Sequence, residues 1–185
     1  MKSETSIGPL PVPALRTAYP PTARSSAPRI DARAIPPCRQ EWRSVIVGVL
    51  NHALSAEIVH MQRYLHQHFA ADDSVAVGMT KKFLDHATVE ARQADRLARR
   101  ISELGGKADF RPPKTLEPGS AARDMPRSLR GLMRADLQSE LDAVERYRNM
   151  IEFVALTDLA TYRLLEEILA EKQQHADELS SWLMH

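Results

Sequence analysis

The chain has 185 residues, 43% of them hydrophobic, with 25 Lys and Arg against 24 Asp and Glu, a formal charge of +1. A mixed-sign balance of this kind marks neither a nucleic-acid-binding nor a membrane-binding protein as a whole, so partners have to be argued from sites. Cys38 is the only cysteine, which excludes an internal disulfide framework and a cysteine-built metal site; no run approaches the ~18 consecutive apolar residues of a membrane span and no apolar signal run opens the chain, so a cytoplasmic location and no membrane are expected.

Residues 1–38 differ in kind from the rest and hold eight of the twelve prolines. They read as a flexible tail with little to bury. Lys2, Arg16, Arg24, Arg29 and Arg33 outnumber Glu4 and Asp31. Two readings stay open, a solvated linker and a basic arm that touches nucleic-acid phosphate or an acidic partner. The acid-poor, Arg- and Ser-containing start also has the composition of an organelle transit peptide, but its prolines would break the amphipathic helix such a peptide needs.

Residues 39–185 form one all-α domain in this reading, because seven glycines stand against abundant Ala, Leu, Glu and Arg. Residues 40–70 carry Ile46, Leu50, Leu54, Met61 and Tyr64 at helical spacing, and residues 75–104 carry Met79, Phe83, Ala87, Ala94, Leu97, Ile101 and Leu104. Gly105 and Gly106 supply a helix stop, and Pro112, Pro113, Pro118 and Gly119 make 107–126 extended loop. Residues 127–155 resume the helical pattern through Leu129, Met133, Leu137, Val144, Tyr147, Ile151 and Val154; residues 159–184 complete it, with Thr157 or Asp158 as cap.

Loop lengths set the topology. The first and second helices are joined by four or five residues near Asp72 and Asp73, and the third and fourth by about three near Thr157, so each pair is antiparallel. About twenty residues separate the pairs, enough in extended form to run the ~45 Å length of a thirty-residue helix. The expected architecture is a four-helix bundle, up-down-down-up, with one long crossover.

Charged residues occupy the middle of the apolar stripes. At about 100° per residue, Glu57 is centred among Leu50, Leu54, Met61 and Tyr64, Glu90 among Phe83, Ala87, Ala94 and Leu97, and Glu140 among Met133, Leu137, Val144 and Tyr147. On the fourth helix the central position is Lys172, with His175 one turn on. A bare cluster of three buried carboxylates would hold protons, so a cation must balance it, and a metal ion or the lysine itself can serve. Each glutamate alone would read as a stripe-edge residue reaching solvent; three at mid-helix in three helices do not. Glu57 and His60 form a Glu-x-x-His pair, but His60 lies about 60° off the stripe centre and, like His52, His66, His68 and His86, reads as a surface or core residue rather than a ligand.

The stretches LNHALSAEIVHMQRYL (50–65), VEARQADRLARRISELGG (89–106), DLQSELDAVERY (136–147) and RLLEEILAEKQQHADEL (163–179) resemble the ferritin-like superfamily, specifically its bacterioferritin and Dps-like branch. That resemblance implies a di-iron centre held by a glutamate on the first helix, Glu-x-x-His on the second, a glutamate on the third and Glu-x-x-His on the fourth. By position the ligands are Glu57, then Glu90 and Gln93, then Glu140, then Lys172 and His175, so Gln93 and Lys172 stand where the family has histidine and glutamate. Tyr64 matches a tyrosine near the family's iron.

Three carboxylates and one ammonium leave a charge of −2, enough for one divalent ion, and Glu90, Glu140 and His175 form the less altered half, an N/O set compatible with Fe²⁺, Mn²⁺ or Zn²⁺. Glu171 lies about 80° off the stripe centre and does not replace the missing acid. Ala91 follows Glu90 where haem-binding relatives have methionine, so haem is not expected; only ten residues follow His175, which leaves no fifth helix. The functional expectation is an iron-binding protein of the iron oxidation and storage family with a degenerate site, weakened or absent ferroxidase activity, and assembly as a homo-oligomer or cage. Two alternatives stand beside it: a metal-free bundle with a Lys172 salt-bridge core, acting as a structural subunit or in a hetero-oligomer with an active partner, and a Dps-like DNA-associated protein working through the tail.

Overall fold

In a computed structural model of the chain, residues 39–70, 77–111 and 128–184 are described. The tail 1–38, the turn near Asp72 and Asp73 and the proline-rich part of the crossover lie outside them. The described residues form four helices and no strand: α1 (Arg39–Ala70), α2 (Val77–Glu103), α3 (Leu129–Val154) and α4 (Leu159–Met184). Each boundary falls within about two residues of the position expected from periodicity and breakers.

The helix ends have local causes. Gly105 adopts φ +79, Gly106 N–H donates to Ile101 C=O at 2.9 Å and Gly105 N–H donates to Ser102 C=O at 2.9 Å, the paired bonds of a Schellman stop on α2. Ser128 caps α3 by accepting from Gly131 N–H at 3.1 Å. Asp158, of the two candidates for α4, accepts from Thr161 N–H at 3.0 Å. Its carboxylate also receives Arg100 of α2, at 2.7 Å and 2.8 Å, which ties the two helix ends together.

Cross-helix contacts give the directions. Between α1 and α3, Glu57 pairs with Tyr147, Tyr64 with Glu140 and Gln67 with Asp136, so rising numbers on one meet falling numbers on the other. Between α2 and α4, His86 meets Glu178, Gln93 meets Glu171 and Arg100 meets Asp158, again antiparallel. With α1 and α2 also antiparallel, the bundle is up-down-down-up. The crossover leaves α2 along α1: Asn51 accepts from Asp109 N–H and donates to Lys107 C=O, and Ser55 donates to Arg111 C=O.

The core has two apolar blocks. Ile46, Leu50, Leu54, Leu97, Ile101, Val154, Leu165 and Ile168 fill one end, and Tyr64, Phe83 and Ala87 sit toward the other. Between them lies a layer of buried charge, Glu57, Glu90, Glu140 and Lys172, each wholly inaccessible to solvent. Among the described residues one helix, Glu41–Ala70, is long and apolar enough to cross a membrane by length and composition. Its apolar residues run round most of the helix rather than as one uninterrupted stretch, and those facing inward pack in the bundle around the buried Glu57.

Gly106 lies so close to α1 that an added Cβ would meet Val47 Cγ1 at 2.6 Å and Cγ2 at 2.7 Å. Gly106→Ala should lower stability by about 1–3 kcal/mol, and adding Val47→Ala should recover part of the loss; urea unfolding of the single and double variants measures both.

Candidate metal centre

Four helices each contribute one side chain to the central layer. Lys172 Nζ lies 2.5 Å from Glu57 Oε2 and 3.7 Å from Glu140 Oε2, and donates a short hydrogen bond to Glu90 Oε2. The ammonium therefore contacts three acids from three helices. Tyr147 OH donates to Glu57 Oε1 at 2.6 Å, and Tyr64 OH donates to Glu140 Oε1 at 2.7 Å. His175 Nδ1 faces Glu90 Oε1 at 3.3 Å and Glu140 Oε1 at 3.9 Å. Glu90 Oε1, Glu140 Oε2 and His175 Nδ1 make no hydrogen bond although each is buried. Ligand atoms of Glu90, Glu140 and His175 lie within 4.8 Å of one another, as do those of Glu57, His60 and Glu90.

The charges in this layer are interdependent. Burial raises the Glu57 carboxyl, but the Lys172 ammonium, the Glu90 carboxyl and His60 together outweigh it and hold the group at about 2. Burial likewise opposes ionisation of Glu140, yet Lys172, and after it His175, keep it well below the usual carboxylate range. Glu90 goes the other way: burial, with the Glu57 carboxylate beside it, pushes it up to about 8 in spite of Lys172. Burial works against a charge on His175, but the Glu140 and Glu90 carboxylates raise it to about 9, and the three acids raise Lys172 above its ordinary value against the same opposition. Burial thus opposes every charge in the layer, contact between opposite charges sustains those of Glu57, Glu140, Lys172 and His175, and Glu90 is the acid most inclined to hold a proton.

All seven positions singled out in the sequence fall in or against this layer. Glu57, Glu90, Glu140, Lys172 and His175 meet at its centre, and Tyr64 touches Glu140. Gln93 is buried but turns its amide outward, donating to Glu171 at 2.8 Å. Glu171 remains outside the core, where Arg92 and Arg96 face it at 3.4 Å and 3.3 Å.

Sequence reasoning passed over three residues. Tyr147 looked like one more apolar position, yet Tyr64 follows Glu57 by seven residues and Tyr147 follows Glu140 by seven, a repeat that could have flagged it. His60 is 5% exposed and points Nδ1 toward Glu90 Oε2 at 3.8 Å, with Ser139 Oγ 3.0 Å from its Nε2. Tilt between packed helices brings in a residue that an ideal helical wheel leaves off the stripe. His86 stacks on His175, ring centroids 4.1 Å apart and 8° from parallel, and meets Glu178 through Nε2 at 3.3 Å.

A family model described as the ferritin-like domain matches residues 47–185. The chain belongs to the ferritin-like family. Its relatives place this ferritin-like chain on the bacterioferritin branch. The bacterioferritin of Desulfovibrio desulfuricans is 28% identical over 138 residues, covering 74% of this chain and 73% of that protein, and that of Streptomyces coelicolor is 27% identical over 139 residues, covering 75% and 79%. An X-ray structure of the Desulfovibrio desulfuricans bacterioferritin, which describes its diiron site in different catalytic states, matches with TM-score 0.71 at 25% identity, covering 80% of this chain and 83% of that one. A bacterioferritin-related protein from Bacteroides fragilis, a dodecameric thioferritin, matches with TM-score 0.67 at 27% identity, covering 77% and 86%.

Removing the central cation should leave buried acids unpaired. Lys172→Met should cost the ferritin-like bundle about 3–5 kcal/mol at neutral pH, and less near pH 5 where the acids can take protons; denaturant melts at the two pH values test this. The metal-free protein should also lose stability on the alkaline side. His175 rises from 6.5 to about 9 on folding, so its contribution is complete below 6.5 and lost as pH rises through 9; Glu90 rises from 4.5 to about 8, so folding is opposed increasingly over that interval. Between pH 6.5 and 9 the melting temperature should fall, as read by circular dichroism.

Proposed function

We propose that the chain is an iron-handling relative of the bacterioferritins whose di-iron centre is degenerate, holding at most one divalent ion in the set Glu90, Glu140 and His175. The observation that carries this reading is the position of Lys172 Nζ, in contact with Glu57, Glu90 and Glu140 together. An ammonium there takes the place of a fourth carboxylate, and it already neutralises the oxygens that a second ion would need.

Charge decides between one ion and two. With Glu57, Glu90 and Glu140 ionised, Lys172 charged and His175 neutral, the layer carries −2, which one divalent ion cancels. A second ion would leave an uncompensated +2 in a buried layer, a state too costly to populate. The donors for one ion fit, because Glu90 Oε1, Glu140 Oε2 and His175 Nδ1 are among the buried atoms left without hydrogen bonds, and the N/O set suits Fe²⁺, Mn²⁺ or Zn²⁺. A bound iron would supply one electron. Reduction of O₂ to peroxide takes two, so ferroxidase activity should be weak or absent.

The chain's own residues do the rest. Tyr64 and Tyr147 each fix one oxygen of a glutamate, His86 holds the His175 ring by stacking, and Lys172 balances charge on the Glu57 side of the site. Bacterioferritin relatives and the dodecameric Bacteroides fragilis protein support self-assembly, for which the exposed Phe69, Phe110 and Leu156 offer apolar contact area. The metal-free alternative, a structural bundle centred on the salt bridge, is favoured by the contact of the Lys172 ammonium with all three acids, which balances part of their charge without any ion.

Aerobic Fe²⁺ titration separates the readings. The wild-type chain should take up no more than one ion per subunit and oxidise Fe²⁺ no faster than buffer, while Gln93→His with Lys172→Glu should bind two. Two ions in the wild type, or an unchanged count in the double variant, would sink the assignment; no ion in the wild type with two in the double variant would select the metal-free reading.

A further inference from the structure

Position 93 leaves the Glu57 side of the layer without an imidazole from α2, since Gln93 turns to Glu171. An imidazole reaches the same place from α1. His60 follows Glu57 by about one turn and is 5% exposed, and its Nδ1 faces inward without a hydrogen-bond partner. Nδ1 lies 3.8 Å from Glu90 Oε2, and ligand atoms of Glu57, His60 and Glu90 fall within 4.8 Å of one another. Outside this triad, Nε2 meets the Ser139 hydroxyl of α3 at 3.0 Å.

That arrangement is how proteins aim histidines at ions. With Nε2–H donating to Ser139 Oγ, the lone pair of Nδ1 points between the two carboxylates, and the hydroxyl fixes both tautomer and ring angle. Left as it stands, Nδ1 is a buried acceptor with no donor facing it. A buried nitrogen with nothing to bond costs about 1–3 kcal/mol.

The obstacle is Lys172, whose Nζ contacts Glu57 Oε2 and Glu90 Oε2. Its third acid offers the way out. Glu140 Oε2 is 3.7 Å from Nζ and makes no hydrogen bond, so an ammonium on a flexible four-carbon stem can move onto it and leave Glu57 and Glu90 to His60.

We propose that His60 is a metal ligand of this chain: with Glu57 and Glu90 it forms a second nitrogen-containing station for a divalent ion, reached when the Lys172 ammonium shifts to Glu140. Glu90 is common to both stations, so one ion occupies one or the other. The inference rests on the one-ion reading and adds where else that ion is held.

Cobalt(II) serves as the probe, because its visible absorption reports nitrogen and oxygen ligation directly. In the full chain, wild type should bind one Co²⁺; His175→Ala, and His175→Gln as a volume-conserving check, should still bind one, with anomalous density between Glu57, His60 and Glu90. Adding His60→Ala to His175→Ala should weaken that binding by at least about 100-fold, and adding Ser139→Ala by about 10-fold. If His175→Ala and His175→Gln fold but bind no Co²⁺, or if the His60→Ala, His175→Ala pair binds as tightly as His175→Ala alone, the His60 station does not exist and the Glu90, Glu140, His175 set stands. A wild-type chain that binds no Co²⁺ at millimolar concentration would overturn both.

Discussion

The contact of one ammonium with three glutamates sets the terms for the rest of the molecule. Lys172 is the only one of the four central side chains that brings positive charge to the layer, and each acid comes from a different helix, so a single Nζ fastens all four together. The apolar blocks on either side supply the bulk of the burial. The charged layer constrains register as well, because a slip that parted the ammonium from the acids would leave buried charge unpaired. A buried ion pair of this kind contributes little net stability over an apolar replacement but penalises every misalignment heavily.

The same contact separates electrostatic closure from chemistry. Four inward carboxylates without a cation would have to take up protons or bind metal. Here the sequence supplies a cation of its own, the Lys172 ammonium, in contact with all three acids.

Most of the fold was legible because it rests on signals local in sequence. Periodicity marked the helices, Gly105 and Gly106 the end of α2, and the contrast of short and long connections the topology. The inward glutamates were legible for the same reason, each sitting mid-stripe in a long helix. What escaped lies where two helices meet. His60 enters the layer through helix tilt and a Ser139 hydroxyl on another helix, and His86 matters only because its ring lies flat on that of His175. Neither relation has a signature in a single stretch of chain. The outward turn of Gln93 is of this type too, for it depends on Glu171, with Arg92 and Arg96 keeping that acid outside the core.

The crossed tyrosines bear on how the molecule holds together as a whole. Tyr64 of α1 secures the glutamate of α3, and Tyr147 of α3 secures the glutamate of α1. Each helical hairpin therefore carries the acid that the other hairpin orients, and neither contains a finished half of the centre. Covalently the hairpins are joined only through residues 104–128, but they are also tied by an exchange of hydroxyls across the bundle axis. The two halves of the sequence look like a repeat on paper; in space they are a mutual dependency.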